Sequence, residues 1–202
     1  SFGAWMTVSN IVSPLMVTAD RFVISAVLGA SMVAYYTVPY EALSRVLILP
    51  SALTSALFPR LAYVMTTDAS GARRLYKKCL FWVTAAMVPI CLMIAVFAKW
   101  GLALWLGDDF SEKSWLIACI LATGVMLNGI AFVPFAAIQA SGDARTTAIL
   151  HVLELIIYIP ALFFLMNFFG LVGAAIAWSM RMGLDLTALL VVAKRRIFDD
   201  IR

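Results

Sequence analysis

Six stretches of the chain, residues 2–28, 33–58, 79–98, 115–138, 146–168 and 171–193, are mostly apolar and about as long as a membrane crossing requires. A helix needs about 20 such residues to span a hydrocarbon core about 30 Å thick. That repeated length predicts an all-α integral membrane protein, a bundle of six transmembrane helices forming a single unit over residues 1–202 with no soluble domain. Composition points the same way. Apolar residues make up 64% of the chain, charged residues 13%, and the mean hydropathy is +0.99. An ordinary soluble domain has about 45–50% and 25%.

The net charge of +4 does not mark a nucleic-acid surface, because ten of the fifteen Lys and Arg residues fall in or beside the connections between segments two and three, four and five, or at the C-terminus. These are Arg60, Arg73, Arg74, Lys77, Lys78, Arg145, Lys194, Arg195, Arg196 and Arg202, whereas the opposite side holds only Lys99 and Lys113. Positive charge concentrates in cytoplasmic loops, so both ends of the chain are predicted cytoplasmic and the host is the cytoplasmic membrane. Cys79, Cys91 and Cys119 lie in or at the edge of apolar runs without CxxC or Cys/His spacing, which makes them small buried hydrophobes rather than metal ligands or a redox pair. Ser1 is followed by an apolar run with no basic n-region and no small-residue cleavage site, so a signal peptide is not expected. The missing Met suggests a piece of a longer chain.

Local signals place the breaks. Pro14 should bend the first helix, and Gly29-Ala30-Ser31 reads as a tight turn. Tyr35, Tyr36 and Tyr40 open the second segment as an interfacial cluster, and Phe58-Pro59-Arg60 is expected to end it before a polar loop with Asp68, Ser70 and Gly71. Pro89 sits at the centre of the uncharged third segment, whose exit carries Lys99, Trp100, Trp105 and the acidic turn Gly107-Asp108-Asp109. Asn128, Gly129 and Pro134 are weak points in the uncharged fourth, and residues 139–145 form a hydrophilic turn. The last two segments make a hairpin linked at Gly170-Leu171-Val172-Gly173, and the small residues Gly173, Ala174, Ala175 and Ala177 permit close helix packing.

Ionisable groups inside these segments are the functional candidates, since a charge at bilayer depth is costly unless paired or wetted. Counting 1.5 Å per residue, Glu154 lies about 10–12 Å from the cytoplasmic face, Arg181 near the midplane, and Asp185 close to the depth of Glu154. Arg181 can reach Asp185 one turn along its own helix, or Glu154 across the hairpin. Arg45 also lies near the midplane, with Glu41 and the Asp20-Arg21 pair in the outer third, and Glu41 and Arg45 share one face at i,i+4. Two plainer roles stand beside the functional one: Asp20 and Arg21 could snorkel to the outer interface, and Glu41/Arg45 and Arg181/Asp185 could be structural pairs. His151 reads as an interfacial histidine rather than a proton relay. No metal-ligand cluster, cofactor motif or catalytic set is evident. One histidine, no HxxxxD or HExxH pattern and short connections argue against a membrane-embedded glycan polymerase or acyltransferase.

The order of these features resembles the second half of a polysaccharide or O-antigen flippase of the multidrug/oligosaccharidyl-lipid/polysaccharide exporter superfamily. The stretches that carry the resemblance are Phe2-Gly3 with Ser13 and Asp20-Arg21, Leu28-Gly29 before Ala34-Tyr35-Tyr36, and Leu57-Phe58-Pro59-Arg60-Leu61. Late in the chain come Ala140-Ser141-Gly142-Asp143-Ala144-Arg145, Glu154, the run from Gly170 through Ala177, and Arg181 to Asp185. The resemblance implies one half of a two-bundle transporter whose N-terminal bundle is absent from this sequence. It further implies alternating access, with membrane lipid around it and a polyprenyl diphosphate-linked oligosaccharide as cargo. On that reading Arg45 and Arg181 would offset the anionic head, with Arg21, Asp20, Glu41, Glu154 and Asp185 as the other cavity residues, and one of the acids could couple transport to a proton or to Na+. A multidrug exporter of the same superfamily is the alternative. The deep groups, Arg21, Arg45 and Arg181 against Asp20, Glu41, Glu154 and Asp185, are too evenly balanced to separate the two.

Overall fold

The structure is a computed structural model that describes residues 19–199, with side chains through residue 197. Residues 2–18 of the first expected helix, the Pro14 bend, the Phe2-Gly3 and Ser13 positions and Arg202 lie outside the described residues. Every described element is helical. Residues 19–28 form α1, which Gly29 ends by taking φ 94°, a left-handed conformation that costs glycine nothing. After it come α2 (Ala30–Ser44), a 3-10 turn at Arg45–Leu47, α3 (Ile48–Thr67), α4 (Ala69–Leu106), α5 (Asp108–Ala140), α6 (Ala144–Lys194) and a final π turn at Arg195–Asp199. The 3-10 turn has a local cause. Pro50 offers no N–H to the Val46 carbonyl and its ring crowds that carbonyl, so the helix tightens just before it.

Among the described residues, four stretches are long and apolar enough to cross a membrane: Ala30–Thr67, Ala69–Leu106, Asp108–Ala140 and Ala144–Ile197. Leu92, Val96, Leu104, Ile156, Ile157 and Phe164 are all more than half exposed on their outer faces. Such an apolar surface belongs in lipid.

Several expected boundaries are corrected. Pro59 does not end a helix; it lies inside α3, which runs on to Thr67 because Leu57 and Leu61, one turn apart around it, are both buried and keep the packing stripe intact. The expected polar loop is also helix. Only Asp68 leaves helical geometry, and its carboxylate accepts the Gly71 backbone N–H at 2.9 Å, capping α4 some ten residues before the expected start. Likewise α5 begins at Asp108, with Asp108 and Asp109 in its first turn where acidic groups complement the helix dipole, and it ends at Ala140. The turn that follows is only Ser141-Gly142-Asp143, and Gln139, expected there, is buried in α5.

The 51 residues of α6 would make a straight rod about 76 Å long, far more than a bilayer accepts. Gly170, at φ 57° and ψ −136°, breaks the helix there. The two arms, 144–169 and 171–194, then fold back on each other so tightly that a Cβ at Gly173 would overlap the Leu165 carbonyl. This is the hairpin expected from the Gly170-Leu171-Val172-Gly173 link.

At the centre stands α5. Within its most apolar window 56% of residues are buried, against 17–22% in the other spans, so the remaining helices pack around it. Gly124 provides a notch in α5 that the Trp178 ring fills, and Ser179 Oγ donates to the Ile120 carbonyl at 2.8 Å beside it. These contacts fix the rotation of the second α6 arm, and with it the site.

Candidate functional site

A cavity of about 330 Å³ opens between α2, α5 and the two arms of α6. Its apolar wall comes from Phe132, Phe135 and Met182, with Tyr40 and Trp178 meeting edge to face at 5.2 Å. Its polar wall is built by the hairpin. His151 and Glu154, one turn apart, come from the first arm, and Arg181 and Asp185, also one turn apart, come from the second. Reversal at Gly170 is what brings the two pairs together, since Glu154 and Arg181 would lie about 40 Å apart along a continuous helix.

Arg181 Nε sits 3.8 Å from Glu154 Oε2, with both side chains about nine-tenths buried. That is an ion pair but too long for a hydrogen bond. Arg181 Nε and Nη1, both Glu154 oxygens, Asp185 Oδ1, His151 Nδ1 and Trp178 Nε1 therefore have no hydrogen-bond partner among the described residues. Buried polar groups are nearly always satisfied, so seven orphans around one cavity, six of them on its polar wall, mark a surface built to receive something polar. The carboxyl groups of Glu154 and Asp185 line this same wall, one from each arm. His151 stacks on Phe135 at 5.7 Å.

Behind this wall lies a second polar layer. The Arg181 guanidinium carbon sits 5.2 Å from the Tyr158 ring centroid. Tyr158 Oη donates to Asp20 Oδ1 at 2.5 Å, and Tyr36 Oη donates to Asp20 Oδ2 at 3.1 Å. Asp20, only 1% exposed, thus joins α1, α2 and the first arm of α6, and it remains within electrostatic range of Arg181.

The polysaccharide biosynthesis protein family matches residues 1–115. The chain belongs to that family. Among curated relatives, a Shigella flexneri protein named as a candidate O-antigen transporter is 39% identical over 91% of this chain and 44% of its own length. A multidrug export protein, MepA, of Staphylococcus aureus is 28% identical over 80% of this chain and 36% of its own. Its Staphylococcus haemolyticus counterpart is 22% identical over 83% and 37%. The chain therefore spans less than half the length of the curated relatives it matches. No solved structure matches it significantly. Family membership and the long apolar helices together make this a multi-pass membrane protein, and these relatives are named for transport.

The seven residues singled out from the sequence fall into three groups in this family member. Glu154, Arg181 and Asp185 share the cavity. Asp20 lies behind it between two tyrosines. Arg21, Glu41 and Arg45 lie outside it. Arg21 pairs with Glu41 across α1 and α2, so the expected i,i+4 partner of Glu41 is corrected, and Arg45 is exposed with no carboxylate partner among the described residues. Arg181 takes the cross-hairpin alternative, Glu154, over its same-helix neighbour. His151 is corrected too: it is 8% exposed, inside the cavity rather than at an interface. Tyr158 and Trp178 were not singled out, whereas Tyr40, expected in an interfacial cluster, and Asn128, expected as a weak point, line the cavity. The i,i+3 spacing of His151 and Glu154 was the available signal for the histidine, whereas nothing in an aromatic residue's own sequence tells a cavity wall from a lipid face.

Proposed function

We propose that this chain is a six-helix bundle, counting α2 and α3 as one crossing and the two arms of α6 as two, and one half of a two-bundle transporter. Paired with an N-terminal bundle, it moves a polyprenyl diphosphate-linked oligosaccharide across the cytoplasmic membrane by alternating access. It acts as a transporter and not as an enzyme. The observation that carries this reading is the row of unpartnered polar atoms on the α6 hairpin, centred on Arg181 at bilayer depth. A diphosphate head needs cationic donors to enter low dielectric, and a guanidinium whose Nε and Nη1 are free supplies them. Glu154 holds Arg181 when the cavity is empty, at a distance loose enough to be exchanged for a phosphate. The facing Glu154 and Asp185 carboxyls supply a place for a proton or Na+ whose movement could drive the cycle. Arg45, exposed near the midplane, and the Arg21–Glu41 pair would face the cavity's other wall.

The test is complementation of a flippase-deficient strain by the full-length gene. Wild type restores surface polysaccharide. Arg181→Ala and Glu154→Gln, expressed to wild-type level, should lower it about tenfold or more, because an unpaired charge at bilayer depth costs about 2.5–3.5 kcal/mol. Undiminished export by Arg181→Ala would sink the proposal. One observation favours the second reading, a cation exporter like the MepA relatives: the cavity holds two acids, Glu154 and Asp185, against one arginine. Energy-dependent efflux of a cationic dye, without restored polysaccharide, would decide for it.

A further inference from the structure

On the lipid-facing side of the bundle, α3 and α4 enclose a shallow groove of about 100 Å³, separate from the cavity above. Pro50 and Val83 are its buried floor, and Leu49, Leu53 and Trp82 are its exposed rims. The two helices run antiparallel from the Asp68 turn, so distance from that turn gives each residue its level. Leu53 and Trp82 lie about 21–22 Å from it, and Leu49 and Ala86 about 27–28 Å. Nearer the turn the same two faces present cations: Arg60 at about 12 Å and Lys78 at about 15 Å, two turns beyond Leu53 and one turn before Trp82. Both are exposed, at nearly the same level on adjoining helices. Neither has a carboxylate partner among the described residues. An apolar trough ending in two unpaired cations at headgroup level is complementary to one kind of molecule, an anionic phospholipid.

We propose that Arg60 and Lys78 clamp the phosphate of an anionic phospholipid whose acyl chain lies along the Leu49–Leu53–Trp82–Ala86 groove. On the orientation expected from the basic residues of the sequence, this is a lipid of the cytoplasmic leaflet. The site stands apart from the transport cavity, and binding can be read on purified protein, so it succeeds or fails independently of the transport reading.

Full-length protein in detergent would be titrated with phosphatidylglycerol and with phosphatidylcholine of the same acyl chains, and bound lipid counted by native mass spectrometry. Phosphatidylglycerol should be retained about tenfold or more over phosphatidylcholine, and the Arg60→Gln/Lys78→Gln double variant should lose that preference, since each basic residue near a membrane surface contributes about fivefold. The charge-keeping Arg60→Lys/Lys78→Arg variant should keep most of it, which separates loss of the clamp from misfolding. Ala86→Trp, filling the groove, should weaken retention with both cations in place. Soluble glycerol phosphate should not compete, because it has no chain for the groove. Equal retention of the two lipids, preference for a polyprenyl phosphate over phosphatidylglycerol, or no retained lipid because the rest of the full-length chain fills the groove would each overturn the proposal.

Discussion

A carboxylate that is 1% exposed amid apolar helices needs a reason to persist, and Asp20 has one in the two tyrosine hydroxyls that donate to it. Each hydroxyl would be orphaned if the acid were removed. Asp20→Ala should therefore lower stability by about 1–3 kcal/mol for each stranded group, and Tyr36→Phe by less, because Tyr158 still holds the acid. Thermal unfolding of the purified protein in detergent reads this, and an Asp20→Ala variant as stable as wild type would refute the account. The same residue shows what was legible. Residue counting finds the depth of a charge, and Glu154, Arg181 and Asp185 were placed together on that basis. It does not find which helix faces that charge. Asp20 meets partners 16 and 138 positions away, and Glu41 takes Arg21, 20 positions back, in place of Arg45 one turn on. Spacing along one helix is visible in a sequence, but the rotation of neighbouring helices is set by packing such as Trp178 in the Gly124 notch.

Helix ends were legible where a residue has only one conformational use, and misread where packing overrides a local preference. Gly29 and Gly170 break the chain where the sequence placed a turn and a link, both at positive φ. Pro59 breaks nothing, since the buried Leu57–Leu61 stripe outweighs one lost backbone hydrogen bond. Asp143 shows a helix end with a second task. Its carboxylate accepts the Thr146 backbone N–H at 3.2 Å and hydroxyl at 2.7 Å, and Arg196 reaches back from the final turn to donate to it at 2.5 Å. Partial burial pushes this carboxyl up, but the bonds from Thr146 and Arg196 outweigh it and hold the group below its ordinary value of 3.8. A depressed carboxylate contributes stability that is complete above its unfolded-state value and is lost as pH falls through the folded one. The difference in thermal stability between wild type and Asp143→Asn should thus be full at neutral pH and shrink only below about pH 4. A difference that instead grew on acidification would reverse the assigned sign.

At the scale of the whole molecule, what matters is which side of the membrane each turn meets, because the cavity acids and the Arg60–Lys78 clamp acquire their roles from it. Three exposed residues stand beside the breaks between helices: Ser70 in the first turn of α4, Asp108 at the start of α5, and Ser141 between α5 and α6. Each of α4 and α5 is long and apolar enough to cross the membrane once, and two such crossings would put Ser70 and Ser141 on one side and Asp108 on the other. The basic residues around Ser70 and Ser141, against the acids at Asp108 and Asp109, predict that the first side is the cytoplasmic one. Single cysteines introduced as Ser70→Cys, Asp108→Cys and Ser141→Cys, with Cys79, Cys91 and Cys119 replaced, should separate accordingly. A membrane-impermeant maleimide applied to intact cells should label the Asp108→Cys protein alone, and permeabilisation should expose the other two. Labelling of Ser70→Cys and Ser141→Cys without Asp108→Cys would invert the orientation and move the lipid clamp to the outer leaflet. Labelling of Ser70→Cys together with Asp108→Cys would mean that α4 does not cross, which removes the bundle on which the transport reading stands.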